Sequence, residues 1–138
     1  MSANERQVGG DHYKTEYQHW DFAVRWQQNR YLESQATKYL SRWRKKAGLQ
    51  DLEKASHYIE KTIEEAMAGN IIPPMRHING RLMEQVRGFC NSCNMSPIEM
   101  GIVYKLCSWP SVQLLYSAQS ELRNFIEEQR TLGWTKVS

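Results

Sequence analysis

The chain has 138 residues, of which 41% are hydrophobic and 24% are charged, and its formal net charge is +3. This composition is typical of one globular domain with its own core, and it excludes a wholly disordered or fibrous chain. No stretch approaches the roughly 20 apolar residues that cross a bilayer, and the first residues lack the apolar core of a secretory signal. We therefore expect no membrane contact and a cytoplasmic location. The mild positive charge admits a polyanionic ligand, but without a binding motif nucleic acid is not an expected partner.

Turn residues without a helical period predict an irregular segment over residues 1–17. Helical spacing then predicts helices over about 19–29, 32–47, 51–69, 78–89, 96–107 and 111–132, and no strand. Gly48 and Gly69 are expected to stop the second and third helices, Asp51 to cap the third, and Ser96 to open the fifth with a capping box. The sequence thus predicts an all-α protein, a compact bundle of five to six helices with an irregular N-terminal loop.

The clearest break in the chain is Ile71-Ile72-Pro73-Pro74, because two adjacent prolines exclude a helix interior. Charged residues are also denser before this break than after it. We expect an N-terminal helical region over residues 1–70 and a C-terminal helical region over residues 71–138, which form either two subdomains or one continuous domain.

A basic stripe is predicted on the second helix, where Lys38, Arg42, Lys45 and Lys46 recur at spacings that share one face, with Tyr39 beside them. Cations next to aromatic rings are suited to holding phosphate and stacking a base. The alternative is a solvated face whose charges keep the helix soluble, and on spacing alone this is the more ordinary interpretation.

A second candidate is the N-terminal segment Gly9-Gly10-Asp11-His12-Tyr13-Lys14-Thr15. Glycines let a backbone approach an anion closely, and Lys14 could reach a phosphate. The segment is not a P-loop, because Val8 and Tyr13 stand where that motif requires glycine. The alternative is an N-terminal arm that happens to contain two glycines.

Two other groups of residues have the donor atoms of a metal site. Glu60 and Glu64 lie one turn apart on the third predicted helix, where pairing with a neighbouring lysine explains them equally well. Cys90, Cys93 and Cys107, with His77, are of the types that bind zinc, but a single C-x-x-C pair is a weak signal and buried cysteines are common in cores. We therefore predict no metal site and reduced cysteines.

Three motifs carry a resemblance to a known family: Gly10-Asp11-His12-Tyr13, then Ala36-Thr37-Lys38-Tyr39-Leu40-Ser41-Arg42, then Asp51-Leu52-Glu53-Lys54-Ala55 followed by Tyr58. Over about residues 8–66 the chain resembles a family of small proteins encoded by tailed phages. One branch of that family is described as a nucleotide kinase that phosphorylates deoxynucleoside monophosphates without a P-loop. The resemblance draws attention to the polar positions within the motifs, which are His12, Tyr13, Lys38, Tyr39, Arg42 and Lys54.

From the residues and the resemblance we expect a phage-encoded nucleotide-binding protein of the host cytoplasm, a kinase-like enzyme that uses a nucleoside triphosphate donor with Mg²⁺. The candidate catalytic residues are His12, which titrates near neutrality, and Arg42, which can hold a phosphate bidentately. The candidate phosphate-binding and substrate-binding residues are Gly9, Gly10, Tyr13, Lys14, Lys38, Tyr39, Lys45, Lys46 and Lys54. The alternative is a non-enzymatic phage protein that binds and inhibits a host protein through its tryptophan-rich surface. A homo-oligomer is compatible with either function.

Overall fold

The computed structural model describes residues 19, 30–74 and 80–134. Within these ranges it contains five α-helices, one 3₁₀ turn and no strand. In chain order the elements are α1 (Tyr31–Arg42), the 3₁₀ turn (Trp43–Lys45), α2 (Leu49–Met67), α3 (Gly80–Ser92), α4 (Pro97–Ser108) and α5 (Val112–Thr131). The predicted all-α bundle is confirmed for this part of the chain. The predicted N-terminal loop and first helix lie outside the described residues, apart from the helical residue His19.

Two helical hairpins, α1–α2 and α4–α5, build most of the core, and α3 packs against α4. Amphipathic spacing explains the packing, because Leu52, Ala55 and Ile59 give α2 one fully buried face. That face lies against α5, which contributes Leu115 and Leu122. One hydrophobic core therefore joins helices from before and after residues 71–74. No helix among the described residues is long and apolar enough to cross a bilayer.

A buried glutamate of α4 anchors the C-terminal end of α1. The indole N–H of Trp43 donates to Oε2 of Glu99 at 3.0 Å, and the Arg44 guanidinium donates to both carboxylate oxygens. Glu99 also accepts the backbone N–H of Ser96 at 3.1 Å. Because a buried charge is costly unless it is paired and hydrogen-bonded, these donors explain how Glu99 is kept fully buried.

A second buried glutamate anchors the opposite end of the same pair of helices. Glu33, in the first turn of α1, accepts the indole N–H of Trp109 at 3.1 Å and the Nε–H of Arg30 at 2.8 Å. Trp109 directly follows α4 and is fully buried. Helices α1 and α4 are thus joined at both ends by a tryptophan–carboxylate hydrogen bond.

The predicted end of the second helix at Ala47 is wrong, since α1 ends at Arg42 and the chain continues as a 3₁₀ turn. The chain reverses at Gly48, whose φ of +63° and ψ of −131° are readily adopted only by glycine. Its N–H donates to the carbonyl of Trp43 at 2.9 Å, which closes a tight reversal. Gly48 is also the N-cap of α2, so the prediction that Asp51 caps this helix is wrong by three residues.

The other helix boundaries that the sequence marked are confirmed. Ser96 opens α4 with a capping box, its hydroxyl accepting the N–H of Glu99 at 3.4 Å, and Pro97 is the first helical residue. Gly69 and Gly133 follow α2 and α5 with φ of +76° and +85°. In these places local chemistry alone fixes the helix end.

Candidate functional site

Three cations surround the ring of Tyr39 on the outer side of the first hairpin. The Arg42 guanidinium carbon lies 4.5 Å from the ring centre, the Lys54 ammonium 5.2 Å and the Lys38 ammonium 5.6 Å. All three distances lie within the range of cation–π attraction. We call Lys38, Tyr39, Arg42 and Lys54 the cation–tyrosine cluster.

The fold explains how the cluster is assembled from two helices. Tyr39 and Arg42 lie one turn apart on α1, and Lys38 is adjacent to Tyr39. Lys54 comes from the first half of α2 and reaches the same ring because the tight turn at Gly48 folds α2 back along α1. No carboxylate among the described residues lies within ion-pair distance of Lys38 or Lys54. These two ammonium groups are therefore available to an external anion.

Arg42 is partly committed to the protein itself. Its Nε lies 3.5 Å from Oδ2 of Asp51, a carboxylate that is fully buried. The same Oδ2 accepts the backbone N–H of Ala47 at 3.1 Å. Arg42 Nε and Asp51 Oδ1 have no hydrogen-bond partner within the described part of the chain. Arg42 thus joins a buried acid of α2 to the outer cluster. This contact gives Arg42 a structural role.

An aromatic stack extends from the cluster. The ring of Tyr58 stacks on Tyr39 with centres 5.9 Å apart and planes 11° apart, and the ring of Tyr31 meets Tyr58 edge-on at 6.4 Å. The pKa of Tyr58 is raised, chiefly by burial and then by its hydrogen bond with Tyr31. Tyr39 thus contacts Tyr58 and all three cations, whereas the ring of Tyr31 is exposed.

A groove of about 590 Å³ opens beside the cluster, between the outer faces of α1 and α2. Its lining residues are Tyr39, Gln50, Glu53, Lys54, His57, Tyr58 and Lys61. Lys61 is occupied by Glu65 at 2.9 Å, and this ion pair raises the pKa of the lysine and lowers that of the glutamate. Among these lining residues the Lys54 ammonium has no acid paired with it, whereas the Glu53 carboxylate pairs with Arg130 at 3.0 Å.

The structure brings only part of the predicted site together. Lys38, Tyr39, Arg42 and Lys54 meet, as described above. Lys45 is exposed in the 3₁₀ turn, where its charge acts on the thiol of Cys93 at the far end of α3. Lys46 follows in a non-helical conformation, so the shared helical face that grouped it with Lys38 does not exist. Gly9, Gly10, His12, Tyr13 and Lys14 lie outside the described residues.

The sequence interpretation gave no role to Tyr31. Tyr58 was recognised within a motif but was not connected to Tyr39. A usable signal was present, because Lys54 and Tyr58 are four residues apart and must share one face of α2. No comparable signal pointed to Tyr31, whose role depends on the packing of one helix on the other.

The cysteines lie away from the cluster and none is in a disulfide. Burial raises the pKa of Cys90, and it raises that of Cys93 to about 11. Both groups are therefore protonated and poorly nucleophilic near neutrality. The residues that the structure describes contain no group of three histidine, cysteine or acidic side chains that could hold a metal ion. His77, the fourth residue of the candidate zinc set, is outside them.

Fold and site together define a small helical protein with a partly exposed cluster of cations and a tyrosine. A family model described as a protein of unknown function (DUF3310) matches residues 9–60. The match includes α1, the 3₁₀ turn and the part of α2 that carries Asp51, Lys54 and Tyr58, and therefore the whole cation–tyrosine cluster. Neither the curated proteins nor the solved structures contain a match to the chain. The first hairpin is thus similar to this family, whose description assigns no activity.

Proposed function

We propose that this protein binds the phosphate groups of nucleotides at the cation–tyrosine cluster. The observation that carries the proposal is the convergence of Lys38, Arg42 and Lys54 on one tyrosine ring, with no acid paired to either lysine in the described residues. Three like charges held close together repel one another, and a bound phosphate relieves that repulsion. Each charge-assisted hydrogen bond to the phosphate is expected to contribute about 1.5–3 kcal/mol.

The adjoining groove supports a nucleotide rather than a free phosphate as the ligand. Its volume of about 590 Å³ falls within the usual range of small-molecule sites. The side chains of Gln50 and His57 offer hydrogen-bonding groups for a base or sugar. Tyr31, exposed at the end of the aromatic stack, offers a ring face for a base.

A finer proposal is that the protein is a phage-encoded kinase that transfers a phosphoryl group to a deoxynucleoside monophosphate. It rests on the family resemblance of residues 8–66 and on the nature of the reaction, which depends mainly on positioning and on charge stabilisation. Lys38 and Lys54 would hold the phosphates and Arg42 would stabilise the charge in flight. His12 would serve as acid or base, and Mg²⁺ would accompany the triphosphate donor.

Calorimetric titration with a deoxynucleoside monophosphate and with inorganic triphosphate tests the binding proposal. Lys54→Ala is expected to weaken binding about 10- to 150-fold, the equivalent of one charge-assisted bond. Lys45→Ala is the matched control, because it removes the same charge from the exposed 3₁₀ turn outside the cluster. We expect it to change the affinity less than about twofold, since salt screens the long-range attraction between Lys45 and the ligand. Equal losses in the two variants would mean that only net charge matters.

Product formation from each monophosphate and a triphosphate donor tests the kinase proposal separately. If the protein binds nucleotides but forms no product, the proposal of a phosphate site stands and the proposal of a kinase is refuted. If neither ligand binds at millimolar concentration, the competing function, a protein that binds and inhibits a host protein, becomes the better explanation of the chain.

A further inference from the structure

The helices α1 and α4 carry the same pattern of buried residues. Each helix has 12 residues, with a buried glutamate at the third position, a buried leucine seven residues later and a buried tryptophan three residues after that. The pattern consists of Glu33, Leu40 and Trp43 in the first copy and of Glu99, Leu106 and Trp109 in the second. The two copies stand 66 residues apart in the chain.

The contacts made by these residues are reciprocal. Trp43 of the first copy donates to Glu99 of the second, and Trp109 of the second donates to Glu33 of the first, at 3.0 and 3.1 Å. An arginine also contacts each glutamate, but Arg30 and Arg44 do not stand at equivalent positions and form no part of the repeat. Trp109 is the counterpart of Trp43, and Glu33 is the counterpart of Glu99, so each contact is repeated with the two copies exchanged. Such an exchange is the mark of two surfaces that are related by a two-fold axis.

The second helices of the two hairpins extend the same relation. Buried positions of α2 recur 63 residues later in α5: Leu52, Ala55, Ile59 and Ile63 become Leu115, Ala118, Leu122 and Ile126. Ser56 and Gln119 are also equivalent, and they contact each other directly, the serine hydroxyl donating to Oε1 and the Nε2 amide donating to the serine carbonyl, both at 3.1 Å. Equivalent residues meet in this way only where a two-fold axis passes between them.

We infer that the hairpin of residues 97–131 repeats the hairpin of residues 31–67 across a local two-fold axis, and that the position around Lys105 is a closed second copy of the anion-binding cluster. The repeat itself rests on packing and hydrogen bonds alone. The assignment of phosphate as the ligand of the second position rests on the proposed function. The chain then has two equivalent positions, of which only the first is open.

Side-chain contacts at the second position show what closes it. Tyr39 and Tyr58, which stack in the first hairpin, correspond to Lys105 and Glu121, which form an ion pair in the second. Lys54 corresponds to Ser117, whose hydroxyl accepts a hydrogen bond from the Lys105 ammonium at 3.1 Å. The same contacts are therefore made at both positions with different chemistry. In the second hairpin the cation is neutralised within the protein, and no charge remains for a phosphate.

The experiment opens the second position by restoring the first hairpin's residues there. The variant combines Tyr104→Lys, Lys105→Tyr, Ser117→Lys and Glu121→Tyr, and the probe is inorganic triphosphate in calorimetric titration. Ser108, the counterpart of Arg42, is buried and stays unchanged, so the rebuilt position lacks the guanidinium of the first cluster. We therefore expect one bound equivalent for the natural chain and two for this variant, of which the second binds about as weakly as the cluster of Arg42→Ala. Adding Lys54→Ala to the variant should return the count to one. Lys105→Gln with Glu121→Gln is the control, since it removes the ion pair without building a cluster and should leave one equivalent.

If the four-site variant folds but still binds only one equivalent of triphosphate, the second position is not a copy of the cluster. If the natural chain binds no triphosphate at all, the proposed function fails, and the repeat is then tested by stability. Lys105→Tyr combined with Glu121→Tyr should melt closer to the natural chain than either single substitution, because the two rings face each other as Tyr39 and Tyr58 do. A double variant less stable than both singles would refute the equivalence of the two hairpins.

Discussion

Replacing Arg42 by alanine should weaken both the fold and anion binding, because one guanidinium serves a buried acid and the outer cluster. Its Nε lies 3.5 Å from the fully buried carboxylate of Asp51, and its Cζ lies 4.5 Å from the ring centre of Tyr39. Removing one partner of a buried ion pair typically costs about 3–5 kcal/mol. The Arg42 side chain is 18% exposed and the pair is longer than a good hydrogen bond. We therefore expect a loss of about 2–3 kcal/mol, which corresponds to roughly 6–12 °C in Tm.

A second substitution separates the two roles of Arg42. Asp51→Asn removes the buried charge and keeps an oxygen that can accept the N–H of Ala47. We expect the double variant Arg42→Ala with Asp51→Asn to recover part of the lost Tm while its affinity for inorganic triphosphate stays as low as that of Arg42→Ala alone. Thermal melting and calorimetric titration measure the two quantities. An unchanged Tm in Arg42→Ala would refute the stabilising ion pair, and recovered binding in the double variant would refute the role of the guanidinium in the cluster.

Two further predictions concern stability. Burial and the nearby Lys38 ammonium lower the pKa of His19 from 6.5 to about 4. As the pH falls, His19 therefore takes up a proton in the unfolded chain before it does so in the folded chain. The free energy of unfolding should decrease by up to about 3 kcal/mol between pH 6.5 and pH 4. Urea unfolding near neutrality and near pH 4 measures this loss, which should largely vanish in His19→Gln; the same loss in both proteins would contradict the assignment. Gly48→Ala should destabilise by about 1–3 kcal/mol because of its positive φ, whereas Gly88→Ala, within α3 and with no atom near the new Cβ, should stabilise by about 0.5–1 kcal/mol. Shifts in Tm of the same sign would contradict this pair of predictions.

The helix content and several helix ends could be predicted because they depend on local chemistry. The capping box at Ser96 and the glycine stop at Gly69 are each fixed by residues within one turn of the helix end. The end of α1 could not be predicted in the same way. Arg42, Trp43 and Arg44 have no helix-breaking character, and the change to a 3₁₀ turn coincides with the insertion of the Trp43 indole against Glu99, which is 56 residues away in the chain. Tertiary contacts override helix propensity there.

The candidate site shows the same division. Lys38, Tyr39 and Arg42 could be grouped from spacing alone, because they lie within one turn of one helix. Lys54 entered the candidate site only through the family resemblance, because its contact with Tyr39 depends on the position of α2 against α1. Lys45 was grouped with the stripe on the assumption that the helix continued, and the 3₁₀ turn removes that basis. The misplacement of Lys45 and Lys46 therefore follows directly from the error in the end of this helix.

The repeat went unrecognised in the sequence for a physical reason. The two copies share mainly buried residues, and the distance between equivalent positions changes from 66 residues in the first helices to 63 in the second, because the link after Trp109 is shorter than the link after Trp43. The half-buried outer positions differ between the copies, as Tyr39 against Lys105 illustrates. Buried positions are held by packing on both sides of the axis, so Glu33 and Glu99 retain the same chemistry.

The family match ends at residue 60, inside α2 and after the last residue of the cluster on that helix. Residues 9–60 include every member of the cation–tyrosine cluster, whereas the second hairpin supplies only scaffold to it. That scaffold is nevertheless specific, because Glu99 holds Trp43 and Arg44 directly after Arg42 and so fixes where α1 ends. A different C-terminal half could support the same cluster if it offered a buried carboxylate to Trp43 and an apolar face to α2. The constraint on the C-terminal hairpin is thus one of geometry at the shared interface, and its outer surface is free to differ from that of the first.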